Sequence, residues 1–388
     1  MTWLITAAVL ERSGDQARPY ATHRPLALVE LELDDPRPGE LLIRIDAAGL
    51  CHSDLSVVNG DRPRPMPMAL GHEATGIVEA LGSEDDTLFA VGDRVVLAFL
   101  PACGECVRCV SGEGYLCPAG AAANGDGRML RGGHRLHRAG GDVHHHLGVS
   151  GFATYAVVDR RSAVKIDRDV PAEIAALFGC AVLTGVGAVM NSAGLRAGES
   201  VVIYGLGGVG LAALLGAMAS GGVPVIAVDP VAAKRAIAEQ LGAVAVAPGE
   251  VAAAIARLMP GGADVVIETA GKAAVLAEAY RAGRRGARIV TVGLPNPAEM
   301  LSIPAVSLVA EGKTLIGSYM GGSIPARDIP RYIALWRSGR LPVEKLLTSV
   351  SPLGEINALL DKLADGDAVR QIVRHKQASG RGYPCRAK

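Results

Sequence analysis

The chain contains 388 residues, and its 39 Lys and Arg residues balance 39 Asp and Glu residues, so its formal net charge is zero. It carries neither a block of like charge nor a basic stripe, which argues against a nucleic-acid partner and against an acidic membrane surface. This length predicts two domains, each able to bury a core of its own.

The first part of the chain, residues 1–175, is predicted to be a mainly β domain. Short runs of strand-forming residues recur there and are separated by Gly and Pro, which is typical of a β-rich fold with inserted loops. The strand candidates lie at residues 41–47, 74–79, 94–97 and 153–158. We place the end of this domain near residues 171–180.

The same region contains two cysteine patterns, of which the first is a compact cluster at about residues 100–118. Its spacing of x2, x2 and x7 is typical of a closed structural zinc site, formed by Cys103, Cys106, Cys109 and Cys117. A disulfide framework is the alternative. We expect a reducing cytoplasm instead, since no secretory signal precedes the cluster. Cys385, in the polar tail, fits neither pattern and is predicted to be a surface thiol.

The second pattern joins Cys51 and Cys180 to His72, which lies between them in the chain. Two thiolates and one imidazole leave one coordination position of zinc open for a water or a substrate oxygen, as in catalytic sites. A single histidine is more often structural, but the two cysteines and the adjacent Glu73 favour a ligand here. The sequence therefore predicts two zinc ions per chain, one catalytic and one structural.

Residues 174–195 and 200–228 contain no charged residue and are long enough to cross a bilayer. The second stretch is interrupted by glycines and by Pro224, however, and it divides into an apolar run, a Gly-rich turn, a helical run and another apolar run. Strands buried on both faces of a parallel sheet have this pattern. We therefore predict an α/β domain rather than membrane spans.

Within this stretch, residues 201–204 and 223–228 are predicted strands on either side of a helix at 211–220. The turn before the helix has the G-x-G-x-x-G pattern of dinucleotide-binding sites, in which the helix N-terminus binds the pyrophosphate. It comprises Gly205, Gly207, Gly208, Val209 and Gly210. Asp229 ends the second strand, where a carboxylate accepts the ribose hydroxyls and repels a 2′-phosphate. This arrangement predicts NAD rather than NADP.

The alternation of strands and helices continues to about residue 324 and predicts a doubly wound parallel sheet over 176–324. The segment 325–388 is predicted to return to the first domain, with a disordered tail from about residue 376. The remaining predicted helices lie at 232–241, 251–258 and 273–282, and the remaining strands at 243–247, 264–268, 288–292 and 314–318.

The order of these motifs over residues 5–375 resembles the zinc-dependent alcohol dehydrogenases of the medium-chain dehydrogenase/reductase superfamily. The matching motifs are Cys51-His52-Ser53-Asp54, Gly71-His72-Glu73 and Val91-Gly92-Asp93-Arg94-Val95, followed by the four-cysteine cluster, Cys180 and the Gly-rich turn. The resemblance implies a GroES-like catalytic domain with an inserted Rossmann coenzyme domain. It also implies an enzyme that oxidises an alcohol with zinc and NAD, and a homodimer or homotetramer.

The same resemblance implies roles for individual residues. Ser53 would receive the substrate proton, Asp54 would orient His72, and Glu73 would lie behind the metal ligands. Around the coenzyme, the resemblance implies nicotinamide contacts for Thr184 and Val209, a ribose contact for Lys234 and a pyrophosphate contact for Arg370. Ser53 is also a candidate cap of a helix beginning at Asp54.

Three features depart from the family pattern. In the family, a histidine at the position of Ser56 passes the proton to solvent. Because this chain has Ser56 there, we predict either that the relay is shorter or that His52 serves phosphate binding. The stretch 119–141 is longer and richer in Gly than usual and lies where the resemblance places the substrate channel entrance. The histidines of residues 134–146 form a loose metal-binding pattern, which we interpret as a loop.

The substrate is predicted to be a primary alcohol or aldehyde with an aliphatic or aromatic tail, because Phe99, Phe152 and Leu294 are candidates for an apolar pocket. A polar substrate remains an open alternative, because Arg62 and Met66 are placed near the entrance of the substrate channel. The alternative enzyme is a formaldehyde dehydrogenase that acts on a thiol adduct, although no arginine matches the one that anchors glutathione. The alternative from another class is a non-catalytic, zinc-braced NAD-binding protein.

Overall fold

The computed structural model of the chain describes residues 2–375. Cys385 and the tail from residue 376 lie outside the described residues. Strands β1 to β18 span, in order, Thr2–Leu10, Leu26–Asp34, Glu40–Leu50, Met68–Ala69, Glu73–Leu81, Arg94–Leu97, Leu136–Arg138, Gly141–His145, Tyr155–Asp159, Ala163–Ile166, Val201–Tyr204, Val225–Val228, Val244–Val246, Ala263–Glu268, Gly283–Thr291, Thr314–Gly317, Leu347–Pro352 and Arg370–Arg374.

Helices are concentrated in the second half of the chain. Helices α1 to α13 span, in order, Tyr20–His23, His52–Val58, Val107–Val110, Pro118–Gly125, Ala172–Leu177, Ala181–Gly187, Gly208–Ala219, Ala232–Gln240, Val251–Leu258, Ala273–Ala282, Ala305–Ala310, Pro325–Arg337 and Ile356–Ala364. No helix among residues 2–375 combines the length and the apolar character needed to cross a membrane. The uncharged stretch 174–195 instead forms two short helices, α5 and α6.

The chain folds into two compact units. The first unit comprises Met1–Cys180, Ile324–Pro330 and Leu347–Lys388, and the second comprises Ala181–Ser323 and Arg331–Leu346. The first unit is therefore built from segments on both sides of the second one in the sequence.

The first unit consists of a small closed barrel and a larger sheet. The barrel joins β1, β2, β7, β8 and β4 in that order, and the sheet has the order β10-β6-β5-β3-β18-β17, with β9 also paired to β3. β2 illustrates why these residues form strands, since Leu31 and Leu33 are buried while Glu30 and Glu32 between them face solvent. Such alternation places one face of a strand against the core.

The second unit contains a six-stranded sheet with the order β13-β12-β11-β14-β15-β16 and parallel pairing throughout. All four residues of β11, Val201–Tyr204, are buried, as expected for a strand covered on both faces. The Gly-rich turn connects β11 to α7, at the point where the strand order of the sheet reverses. Ligands of open α/β sheets bind at this position.

One prediction about local structure is wrong. The histidine tract is not a loop, since Leu136–Arg138 and Gly141–His145 form an antiparallel hairpin. The overlapping stretch 119–141 also contains regular structure, because residues 118–125 form α4 and residues 136–138 form β7. That hairpin also pairs with β2 and β4, and these partners close the barrel. A sequence with many glycines and histidines gave no periodic signal for either pairing.

Candidate functional site

Cys51 lies at the end of β3 and caps the N-terminus of α2. Its backbone is extended (φ −129°, ψ 159°), and its N–H donates to Asp54 Oδ2 at 3.0 Å. The carboxylate of Asp54, the third residue of α2, thus fixes the backbone of Cys51. The predicted cap at Ser53 is wrong, because α2 begins at His52 rather than at Asp54.

Cys51, His72 and Cys180 come together from three separate segments of the first unit. One ligand atom from each lies within 4.8 Å of the other two, and all three residues are buried. His72 follows Gly71, whose φ of 92° is disfavoured for residues with a side chain. A Cβ at this position would lie 2.4 Å from the backbone nitrogen of Phe152, so the turn that presents His72 requires glycine.

The arrangement of His72 matches that of a metal ligand. Its Nδ1 lies 3.1 Å from Asp54 Oδ1, while its Nε2 is buried without a hydrogen-bond partner. A metal-binding histidine characteristically donates its second ring N–H to a carboxylate, which orients the ring. The lone pair of Nε2 and the two thiols therefore form a donor set that suits zinc.

The two thiols of this site interact directly. The thiol of Cys180 donates a hydrogen bond that lowers the pKa of Cys51 well below its ordinary value, and the charge of Arg370 acts in the same direction. The thiolate is the form that binds metals. The same contact and burial raise the pKa of Cys180 well above its ordinary value, so the lowered pKa belongs to one thiol of the pair.

Glu73 and Arg370 form a buried ion pair beside these ligands. Arg370 Nη1 lies 3.1 Å from Glu73 Oε1, and the two side chains are 2% and 0% exposed. Burial raises the pKa of Glu73 to about 7, although the charge of Arg370 acts to lower it. The second carboxylate oxygen of Glu73 is buried without a hydrogen-bond partner. The pyrophosphate contact of Arg370 stays a prediction.

His146 joins this site, although the sequence analysis did not select it. Its Nδ1 lies 3.3 Å from Asp54 Oδ1, and its ring stands nearly perpendicular to that of His72, with centroids 5.4 Å apart. Its backbone N–H donates to Ser150 Oγ at 3.0 Å, which fixes the residue just after β8. The only signal in the sequence was its place in the histidine tract.

The four-cysteine cluster is a second group of side chains that could hold a metal ion. One sulfur from each residue lies within 4.8 Å of the other three. Backbone amides donate to these sulfurs, with Cys103 N–H to Cys117 Sγ at 3.2 Å and Cys106 N–H to Cys103 Sγ at 3.4 Å. Backbone hydrogen bonds from Glu105 and Cys106 lower the pKa of Cys103 to about 7. The donor set suits a closed zinc site, and the six cysteines among residues 2–375 are free thiols.

The Gly-rich turn of the second unit has the backbone geometry of a dinucleotide site. Gly205 has a φ of 87°, and α7 begins at Gly208, earlier than the predicted start at residue 211. Asp229 accepts the N–H groups of Leu206 and Val231, both at 2.8 Å. A carboxylate offers about four lone-pair sites, so these two bonds leave acceptor capacity for a ribose.

Three other predicted coenzyme residues also belong to the second unit, whereas Arg370 belongs to the first. Thr184 lies in α6, and its buried Oγ1 has no hydrogen-bond partner, which suits contact with a polar ligand. Val209 is in the first turn of α7, and Lys234 is half-buried in α8. These positions do not test the predicted contacts.

The three predicted pocket residues have different environments. Phe99 stands edge-on to His72, with ring centroids 5.7 Å apart. Leu294 is 56% exposed, whereas Phe152 is completely buried in the larger hydrophobic cluster of the first unit. The prediction that Phe152 lines a pocket is therefore wrong, because its ring has no free surface. Phe99 remains a candidate wall.

α2 carries three more predicted residues. His52 is exposed, and Ser53 and Ser56 are half-buried on the same short helix. The hydroxyl of Ser53 lies 3.9 Å from Cys51 Sγ, which places it beside the metal ligands. The predicted roles in proton transfer and phosphate binding stay predictions.

Comparisons with known proteins agree with this architecture. Residues 37–168 match the family model described as alcohol dehydrogenase GroES-like domain, and residues 208–338 match the model described as zinc-binding dehydrogenase. The chain is 37% identical over 375 residues to the NDMA-dependent alcohol dehydrogenase of Amycolatopsis methanolica, covering 95% of this chain and 98% of that protein.

Two further relatives are similar over nearly their whole length. Geraniol dehydrogenase of Castellaniella defragrans is 38% identical over 373 residues, which cover 95% of this chain and 96% of that protein. The crystal structure of benzyl alcohol dehydrogenase from Acinetobacter calcoaceticus superposes with a TM-score of 0.89 at 32% identity, covering 96% of this chain and 99% of that one. The predicted combination of a GroES-like and a Rossmann domain is thus confirmed, and the chain belongs to the zinc-dependent alcohol dehydrogenases of the medium-chain dehydrogenase/reductase superfamily.

Proposed function

We propose that the protein oxidises a small alcohol to the aldehyde or ketone, reversibly, with hydride transfer to NAD and with zinc held by Cys51, His72 and Cys180. The observation that carries the proposal is the unpartnered, buried Nε2 of His72, which lies within 4.8 Å of two thiol sulfurs. An unsatisfied buried polar atom is costly. A metal ion at this point would remove that cost.

Bound zinc supplies a Lewis acid that makes an alcohol easier to deprotonate. The residues of the chain do the rest of the positioning. Asp54 accepts the Nδ1–H of His72 and the N–H of Cys51, so it orients two ligands at once. Phe99 packs edge-on against His72 and limits the access of water to that ring.

The coenzyme contacts are proposed for the second unit. The N–H groups at the start of α7 are available for the pyrophosphate, and the remaining lone pairs of Asp229 are available for the ribose. The relative from Amycolatopsis methanolica is named for its dependence on NDMA. NDMA is therefore the second candidate for the electron acceptor, and assays must include it.

Proton release is proposed to begin at Ser53, whose hydroxyl lies beside Cys51. Ser56 stands one helical turn further and carries no group that titrates near neutral pH. We propose a shortened relay that does not pass through position 56, and the phosphate-binding role of His52 stays a prediction. If Ser56→His leaves the pH dependence of kcat unchanged, the relay does not run through this position.

The substrate class proposed is a primary alcohol with an aromatic or unsaturated aliphatic tail. The apolar edge of Phe99 next to His72 supports it. Geraniol and benzyl alcohol, for which two relatives are named, are the first compounds to test.

A homodimer is proposed through the second unit, where β16 is an edge strand of the sheet. Met300, Val306 and Val309, which precede β16 in the sequence, are 85%, 72% and 87% exposed. Exposed apolar residues of this kind mark interaction surfaces. Light scattering should give a multiple of the 39.9 kDa chain mass, and Val309→Lys should reduce that mass.

The decisive experiment combines metal analysis with an alcohol panel, assayed with NAD and separately with NDMA. We expect two zinc ions per chain in the wild type. Cys180→Ser should lose one zinc ion and all turnover but still bind NAD, whereas Cys106→Ser should lose one zinc ion and stability. Wild-type turnover in Cys180→Ser would refute the proposal. Oxidation with NDMA but never with added NAD would refute the proposed acceptor.

A further inference from the structure

His146 occupies a position that the proposed reaction does not explain. It is 1% exposed, and it is the histidine of the tract that reaches the Asp54–His72 pair. Together with these two residues it forms a group whose ligand atoms lie within 4.8 Å of one another. A buried imidazole beside a buried carboxylate needs a physical reason, because desolvation of both groups is costly.

The reason follows from the charge of Asp54. The carboxylate is completely buried, and zinc binding requires His72 to be neutral, since its Nε2 lone pair goes to the metal. Asp54 then has no adjacent cation among its described contacts and depends on N–H donors. The donors are His72 Nδ1 at 3.1 Å and the backbone N–H of Cys51 at 3.0 Å, and His146 Nδ1 approaches the same carboxylate to 3.3 Å without an aligned hydrogen bond.

His146 also confines the ring of His72 sterically. The His146 ring stands at 81° to that of His72 with a centroid distance of 5.4 Å, and the Phe99 ring stands at 86° with a distance of 5.7 Å. His72 is therefore held by two perpendicular rings and by one carboxylate. The backbone of His146 is itself held by Ser150, so this contact is positioned rather than incidental.

We infer that His146 is a positioning residue for the catalytic metal, in that its N–H stabilises the Asp54 carboxylate that in turn orients His72. The inference rests on the zinc site proposed above. The His146 contact is longer than that of His72, and it is not an aligned hydrogen bond in this structure. The expected contribution is therefore to the strength and rate of metal binding rather than to the existence of the site.

The test measures zinc release to a chelator, with the four-cysteine zinc as an internal reference in the same molecule. His146→Phe keeps a ring beside His72 but removes the N–H donor. We expect its catalytic zinc to bind about 10- to 100-fold more weakly, the range typical for partners of metal-ligating residues. The structural zinc should be released as in the wild type.

Two control variants separate this role from a general effect on folding. His146→Asn places an amide N–H where Nδ1 was and should restore wild-type zinc affinity. His144→Phe alters a half-buried histidine of β8 whose Nδ1 contacts His134, and it should leave both zinc ions unaffected. The visible spectrum of the cobalt-substituted protein reports the ligand geometry independently of turnover, and it should change in His146→Phe alone of the three.

A double-mutant cycle tests whether His146 acts through Asp54. Asp54→Ala should weaken the catalytic zinc, and adding His146→Phe should weaken it no further, because the acceptor of the contact is already lost. Additive effects would overturn the inference, as would wild-type zinc affinity in His146→Phe. A third metal ion that is lost in His146→Phe would also overturn it, since His146 would then be a ligand.

The outcome is distinguishable from a failure of the proposed function. If the wild type binds a single zinc ion that Cys180→Ser retains, the proposed catalytic site is wrong. If the wild type binds two ions and His146→Phe changes neither, the site stands and only the role of His146 is refuted.

Discussion

Gly207 and Gly210 belong to the same turn, but the structure predicts opposite consequences for replacing them with alanine. Gly207 precedes α7 with φ −72° and ψ −172°, a conformation open to any residue, and a Cβ there meets no heavy atom within 4 Å. Gly207→Ala should therefore change the free energy of unfolding by less than about 1 kcal/mol. The added methyl would instead occupy the space through which a pyrophosphate approaches the backbone.

The expected loss falls on coenzyme binding. If the methyl group removes one hydrogen bond between an N–H group and a phosphate oxygen, the loss is about 1.5–3 kcal/mol. That loss corresponds to an increase in the Kd for NAD of about 10- to 160-fold.

Gly210→Ala should act on the fold. A Cβ at this position would lie 1.8 Å from the carbonyl oxygen of Gly205 and 2.8 Å from Thr269 Oγ1. The carbonyl oxygen of Gly205 also accepts a hydrogen bond from Thr269 Oγ1 at 2.9 Å, so moving this carbonyl opens the turn. Overpacking of this kind costs about 1–3 kcal/mol, which lowers the Tm of a unit of this size by about 2–12 °C.

Thermal unfolding and NAD titration on the two variants separate these effects. We expect Gly207→Ala to keep the wild-type Tm with weaker NAD binding, and Gly210→Ala to have the lower Tm. Equal losses of Tm in both variants, or wild-type NAD affinity in Gly207→Ala, would refute the assignment of the turn.

Three further predictions concern the first unit. Burial lowers the pKa of His145 to about 3 from 6.5, so unfolding takes up a proton and stability is lost as the pH falls through this window. Between pH 6.5 and 5 the loss is about 2 kcal/mol, and urea unfolding should show a smaller loss in His145→Gln. Arg135 donates to both carboxylate oxygens of Glu40, at 2.9 and 2.6 Å, and both are buried. Arg135→Ala should therefore lower the free energy of unfolding by about 3–5 kcal/mol. Replacing both Arg135 and Glu40 by apolar residues should lower it less, as measured by urea unfolding. Chelation of the wild type should remove the zinc of the four-cysteine cluster and lower the Tm, and Cys106→Ser should already show that lower Tm without chelator.

The grouping of the candidate metal ligands was predictable from the sequence because the chemistry of such sites restricts both residue type and spacing. The four cysteines of the cluster and the trio of Cys51, His72 and Cys180 come together as predicted. The role of His146 was not predictable, since its partner Asp54 lies in a distant segment of the chain and no spacing rule connects them. A contact between side chains of two segments is a property of the folded chain.

The strands of the parallel sheet were predictable for a similar reason. Residues 201–204 and 251–258 form their elements with the predicted bounds, because uninterrupted apolar runs and turn glycines mark them clearly. The early start of α7 was missed, since Gly208 and Gly210 have low helix propensity and only the tertiary structure overrides it. The β7–β8 hairpin was missed because its strands are short and polar.

Strand β18 carries a consequence for the biosynthesis of the enzyme. It inserts between β17 and β3, and its first residue, Arg370, neutralises the buried Glu73. A nascent polypeptide that ends before this strand would leave β3 with an open edge and an uncompensated negative charge next to the ligand cysteines. The candidate metal site therefore gains this compensating charge only after the segment 181–346 has been synthesised. A polypeptide truncated just before Arg370 should fail to load metal at this site, although it contains Cys51, His72 and Cys180.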